Sequence, residues 1–150
     1  CSTGKGLPQD YKAALKWYSK AVEQGNLNAI NYFGFANEHG HGFPQDYKMA
    51  YKWYKSAAEQ GFAESQTNLG KLYLKGYGVL QNYVKAVRWF TKAAEDEDSE
   101  AQLVLGIMHI KGEYFDPNNQ KGAYWINLAR KNGNKQAEEL WNEDELWKYE

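Results

Sequence analysis

The sequence predicts an all-α solenoid of 36-residue helix–loop–helix units, and three observations carry that prediction. The segment Lys16-Trp17-Tyr18 returns as Lys52-Trp53-Tyr54, as Arg88-Trp89-Phe90 and, more faintly, as Tyr124-Trp125-Ile126, each time 36 residues on. Glycine recurs at the same period in Gly34, Gly70 and Gly106. Around both signals the apolar residues keep helical spacing, as in Tyr11, Ala14, Tyr18 and Ala21. A fixed period in this range marks stacked helical units, each unable to bury its apolar face alone. Such stacks present long ordered surfaces suited to holding other macromolecules.

The period divides the chain into a partial unit at 1–26, units at about 27–62, 63–98 and 99–134, and a capping segment at 135–150. The trailing segment of each unit runs from Gln9, Gln45, Gln81 and Pro117 in turn, and carries an amphipathic helix with one aromatic face. Asp10, Asp46, Asn82 and Asn118 stand where a side-chain oxygen should accept from free amides at the helix start. Gly25, Gly61 and Gly133 stand where a left-handed stop is needed, and Glu97 in the third copy predicts a less standard turn. Leading helices follow from Ala29 to about Glu38, Glu64 to about Lys75 and Glu100 to about Lys111. Glycine inside a helix costs about 1 kcal/mol against alanine, so a periodic one predicts close helix–helix approach. Each leading helix ends in a glycine loop: Gly40-His41-Gly42-Phe43-Pro44, Gly76-Tyr77-Gly78-Val79-Leu80, then a version from Gly112 that keeps only the first glycine. Gly4-Lys5-Gly6-Leu7-Pro8 is the same loop without its leading helix.

Composition narrows the function classes. The chain has 150 residues, enough for one domain with a sizeable core. A formal charge of −1 gives no electrostatic reason to expect nucleic acid, which basic patches normally grip. No apolar run approaches the roughly 20 residues of a membrane span. One cysteine permits no internal disulfide. That residue is Cys1, which has two readings: a bacterial lipoprotein whose acylated cysteine follows a removed signal peptide, or a fragment of a longer repeat array. The first places the protein in the periplasm or at the outer membrane.

The pattern Leu69-Gly70-x-x-Tyr73-x-x-Gly76-x-Gly78-Val79, followed by Gln81-x-Tyr83-x-Lys85-Ala86-x-x-Trp89-Phe90-x-Lys92-Ala93-Ala94, resembles the Sel-one-like repeat, a relative of the tetratricopeptide repeat. The resemblance covers nearly the whole chain and implies antiparallel helix pairs stacked into a right-handed α/α superhelix. Asn37 and His109 depart from it where the pattern has Tyr, and Gly122 where it has Ala. The last helix, Lys135 to about Asn142, lacks the internal glycine, which suits a cap.

Residues that repeat faithfully are expected in the core, so Trp17, Trp53, Trp89 and Trp125 are expected to wedge between helices. Lys12, Lys16, Lys20, Lys48 and Lys52 read as a solvated outer face, and so do the acidic runs 95–98 and 143–145. Partner-binding residues are sought where one place in the unit changes identity. On the leading helices a face about 200° from the core register carries Asn31, Phe35 and Glu38, then Thr67, Lys71 and Leu74, then Leu103, Ile107 and Ile110. In related solenoids the leading helices line the concave groove, which makes these nine residues the candidate partner-binding stripe. The third set is wholly apolar, and two readings stand: an exposed interaction patch, or a surface covered by Leu146, Trp147 and Tyr149 of the C-terminal tail.

The chemistry of an enzyme is sparse. No nucleophile elbow, phosphate loop or dinucleotide fingerprint occurs. No cofactor or catalytic residue is assigned; His39-Gly40-His41 lacks further metal ligands nearby, and His109 is expected as a satisfied half-buried side chain. The expected function is therefore non-catalytic binding of a partner protein through the concave face. Together with Cys1, the resemblance suggests an immunity or inhibitor protein that sequesters a secreted effector enzyme. The alternatives are a scaffold in signalling or envelope assembly and, more weakly, a hydrolase using Glu38, Glu64 or His109.

Overall fold

In a computed structural model the described residues, 9–149, form eight α-helices and a final 3₁₀ turn, and side chains are described from residue 16 onward. Cys1 and the first glycine loop lie outside the described residues, as do the side chains of Asp10 and Lys12. Trailing helices are α1 (Gln9–Glu23), α3 (Tyr47–Glu59), α5 (Tyr83–Glu95) and α7 (Asn119–Lys131). Leading helices are α2 (Leu27–His39), α4 (Ala63–Lys75) and α6 (Ser99–Lys111), with α8 (Lys135–Glu143) in the same place at the end. Every helix packs on its neighbours in chain order, the arrangement of a right-handed α/α solenoid.

Helix ends follow the side chains. Asp46 accepts from the amides of Lys48 and Met49, Asn82 from Lys85 and Asn118 from Lys121. Leading helices are capped too: Asn26 accepts from Ala29, Asp98 from Ala101 and Asn134 from Ala137, while Phe62 at the equivalent place offers no side-chain oxygen. Asp98 therefore has a structural task that its place in an acidic run hides. Gln45 and Gln81 reach from the loops back to the carbonyls of Glu38 and Leu74, each at 2.8 Å. The turn after α5 is a correction. Glu97 has φ 63°, the same left-handed stop that Gly61 makes at 88°, so the geometry of the repeat holds and glutamate carries its strain.

The core is organised by the periodic glycines. A Cβ on Gly34 would lie 2.5 Å from the ring of Tyr54, one on Gly70 2.8 Å from Phe90, and one on Gly106 2.5 Å from Ile126. Each leading helix thus offers a bare strip of backbone on which the next trailing helix seats a large side chain. Tyr54 and Phe90 are wholly buried and Ile126 nearly so. The tryptophans are therefore not the wedge. Trp17 is 72% exposed, and Trp53, Trp89 and Trp125 are half-buried one residue before the true wedge. A step of one residue turns a helical side chain by about 100°, enough to move it from the gap between helices to its rim.

Candidate functional site

The nine predicted stripe residues fall into three rows with different surroundings. A leading helix in this stack packs on the trailing helices before and after it, and its side chains also reach the next leading helix or its cap.

The first row, Asn31, Thr67 and Leu103, is the seam between consecutive leading helices. Asn31 donates to Glu64 at 2.9 Å and accepts from the hydroxyl of Ser65 at 2.7 Å. Thr67 donates to Asp98 at 2.9 Å, so Asp98 caps α6 and ties it to α4 at once. Leu103 packs with Ala137, Trp141 and Leu146. All three are buried, which corrects the expectation that they face outward. Their variable identity reflects what the next unit offers them.

The second row, Glu38, Leu74 and Ile110, lies at the contact with the following trailing helix. Tyr54 donates its hydroxyl to Glu38 at 2.8 Å, and burial together with that bond and the carboxylate charge pushes the phenol far above its ordinary pKa. Leu74 packs against the cluster that holds Phe90. Ile110 occupies the space a Cβ on Gly122 would need, its Cγ1 only 2.4 Å from that position. Gly122 is thus the departure from the repeat that admits a branched side chain at 110.

The third row, Phe35, Lys71 and Ile107, keeps access to solvent. Phe35 is 38% exposed and borders the rings of Tyr32, His39 and His41. Lys71 makes a 2.6 Å ion pair with Glu100. Ile107 joins Ile110, Ile126 and Leu140 around a groove of about 260 Å³, with Lys111, Gln136 and Asp144 at its edge. The apolar third set is covered in part by the chain's own C-terminal segment: α8 supplies Trp141 and the final turn supplies Leu146, whereas Trp147 and Tyr149 stay exposed. This groove is what the cover leaves open.

Other candidates are placed as follows. His39 and His41 have ring centroids 5.8 Å apart, and no group of three or more metal-ligating side chains occurs among the described residues. Glu64 is engaged by Asn31. His109 is half-buried and stacked on Phe115 at 4.2 Å, but its Nδ1 is buried without a hydrogen-bond partner, so the expected satisfied histidine is corrected. Burial, and secondarily the Lys121 charge, holds its pKa below the ordinary value. No helix among the described residues is long and apolar enough to cross a membrane.

A family model described as the Sel1 repeat matches residues 1–26, 28–62, 63–98 and 99–134. A Sel1 repeat protein of Oxalobacter formigenes is similar at 34% identity and a TM-score of 0.78, over 83% of this chain and 51% of its own. A protective antigen of uropathogenic Escherichia coli with an SLR fold is similar at 33% identity and a TM-score of 0.79, over 89% of this chain and 29% of its own. The chain thus spans about half of the first protein's length and under a third of the second's. Helicobacter pylori cysteine rich protein B shares the fold, with 21% identity and a TM-score of 0.66 over 90% of this chain and 97% of its own. No curated protein sequence matches the chain.

Proposed function

The chain belongs to the Sel1 repeat family, whose repeats generally mediate protein–protein interaction, and on that premise we propose that it binds one partner protein through the open row of its leading helices. The observation that carries this reading is the groove at Ile107, Ile110 and Leu140, in line with the exposed ring of Phe35 and the ammonium of Lys71. The seam residues are buried in the fold, whereas Phe35, Lys71 and Ile107 keep access to solvent. An apolar groove with polar edges, continued by an aromatic and a cation, fits the composition of a protein-binding surface. A stable complex needs on the order of 800 Å² from each partner, more than the groove alone supplies, so the whole row takes part.

The fold is typically a non-catalytic interaction scaffold, and we extend that to this chain: binding is its activity, and an inhibitor that sequesters a secreted effector enzyme is the specific role proposed. Two features support the choice of a scaffold over a hydrolase. Glu38 accepts from the hydroxyl of Tyr54, and Glu64 accepts from the amide of Asn31, so both carboxylates are engaged in the packing of the repeat. The test is affinity capture from the native cells with the unaltered chain, with Phe35→Asp and with Lys52→Glu on the exposed outer face. A protein retained by the first and third and lost by the second supports the open row. Assay of that protein's own activity with and without the chain then separates inhibitor from scaffold. Loss with Lys52→Glu and retention with Phe35→Asp would move the interface to the trailing helices.

A further inference from the structure

On the opposite, trailing-helix side, one repeat unit lacks an aromatic pair that its predecessor has. In the earlier unit Tyr73 lies buried under Tyr51, ring centroids 5.8 Å apart and hydroxyls 3.0 Å apart. The ammonium of Lys85 sits over the Tyr73 ring at 5.4 Å. Thirty-six residues on, Tyr51 becomes Val87, Tyr73 becomes His109 and Lys85 becomes Lys121. Two phenol groups are gone while the lysine that covered one of them is still in place. In their stead is a groove of about 440 Å³, bounded by Val87, His109, Phe115, Lys121 and Trp125 among others. None of the lining residues is acidic, so Lys121, which is exposed, has no carboxylate within the groove.

We propose that this groove takes a tyrosine side chain of a partner protein, seated beneath Lys121 as Tyr73 is seated beneath Lys85. The ring supplies the aromatic face that a lysine over an apolar groove attracts. The stacked rings of His109 and Phe115, together with Trp125, line the groove with aromatic surface. Beside the imidazole of His109, Thr91 and Tyr124 bring hydroxyl groups to the lining, so the groove offers a phenol polar neighbours that a plain hydrocarbon would not use. Phe115 is larger than Val79, its counterpart, and fills part of the space without closing it. This site lies on a different face from the open row of the leading helices and does not depend on it.

The probe is N-acetyl-tyrosinamide, titrated into the whole chain and followed by amide resonances. The expected result is saturable shifts centred on Val87, Thr91, His109, Lys121 and Trp125, with no saturable shift from N-acetyl-leucinamide. Lys121→Ala, on an exposed side chain, should weaken the affinity about two- to fivefold. Val87→Tyr with His109→Tyr rebuilds the earlier unit's pair and should abolish binding by filling the groove. Shifts scattered elsewhere, equal response to the leucine probe, or an affinity that Lys121→Ala leaves unchanged would each overturn the proposal. If the double variant fails to fold, the lysine variant and the leucine probe still decide it.

Discussion

The α2–α3 and α4–α5 pairs solve one packing problem with different chemistry. Both place a glycine strip against a wholly buried ring, Gly34 against Tyr54 and Gly70 against Phe90. In the first pair the ring carries a hydroxyl and meets the carboxylate of Glu38. In the second it carries none, and Leu74 stands in the glutamate's place. These two units therefore seat a flat ring in the gap and leave its polarity to be settled locally between two positions. The α6–α7 pair extends the lesson. With Ile126 instead of a ring, Gly122 brings the helices close enough for Ile110 to fill the remainder.

The largest effect should come from emptying the gap. Phe90→Ala should cost about 3–5 kcal/mol, since it removes a wholly buried ring that neighbours on both sides cannot replace. Trp89→Ala, at a half-buried rim position with Lys92 over the indole at 4.8 Å, should cost less than about 2 kcal/mol. Urea unfolding of both variants, read as midpoint shifts at constant slope, checks the order. Equal losses would mean that the tryptophan shares the wedge after all and that the comparison is drawn one residue off.

The polar version of the gap can be converted into the apolar one. Glu38→Leu alone strands a buried phenol hydroxyl and should cost about 1–3 kcal/mol. Tyr54→Phe alone loses only the hydrogen bond, about 1 kcal/mol, because Glu38 is partly solvated. The double change reproduces Phe90 with Leu74 and should recover most of the loss, giving a coupling of about 1–2 kcal/mol between the two sites. A coupling near zero would show that the two pairs differ only in name.

A comparison by pH follows from the place held by Tyr73 in one unit and His109 in the next. The folded state lowers the pKa of His109 below its unfolded value of 6.5, burial being the main cause. The unfolded chain therefore binds the proton more readily, so this contribution to stability is present above pH 6.5 and is lost as pH falls through and below it. His109→Tyr should remove that part of the acid dependence. Thermal or urea midpoints of both proteins at matched pH values test it, and parallel curves would count against a buried neutral imidazole.

Periodicity made the solenoid, its helix boundaries and its close glycine contacts legible in the sequence, because each of these is a one-dimensional signal repeated at 36 residues. The stripe was legible only in part. An opposite face defined by an angle on one helix takes no account of the next leading helix, and that helix with its cap is what buries Asn31, Thr67 and Leu103. The tryptophans misled for a related reason: the most conspicuous side chain of a repeat need not be its most buried one. A usable signal for the seam did exist. Asn26, Asp98 and Asn134 mark the starts of leading helices at multiples of 36, and Thr67 faces one of them. The His109 groove also had a trace in the sequence, since Val87 and His109 both depart from the larger residues one period earlier.

The smallest effect compares the turns that close the same two units. Gly61 makes the left-handed stop after α3 without steric cost, whereas Glu97 makes it after α5 with a Cβ crowded against its own backbone. Glu97→Gly should therefore stabilise the chain by about 0.5–1 kcal/mol, the relief of strain exceeding the extra entropy glycine brings to the unfolded state. Gly61→Glu should cost a similar amount, because nothing lies within 4 Å of the added Cβ and only the backbone geometry opposes it. The pair of midpoint shifts, equal in size and opposite in sign, is the expected outcome. A loss from Glu97→Gly would mean that the carboxylate contributes more to this turn than the strain removes.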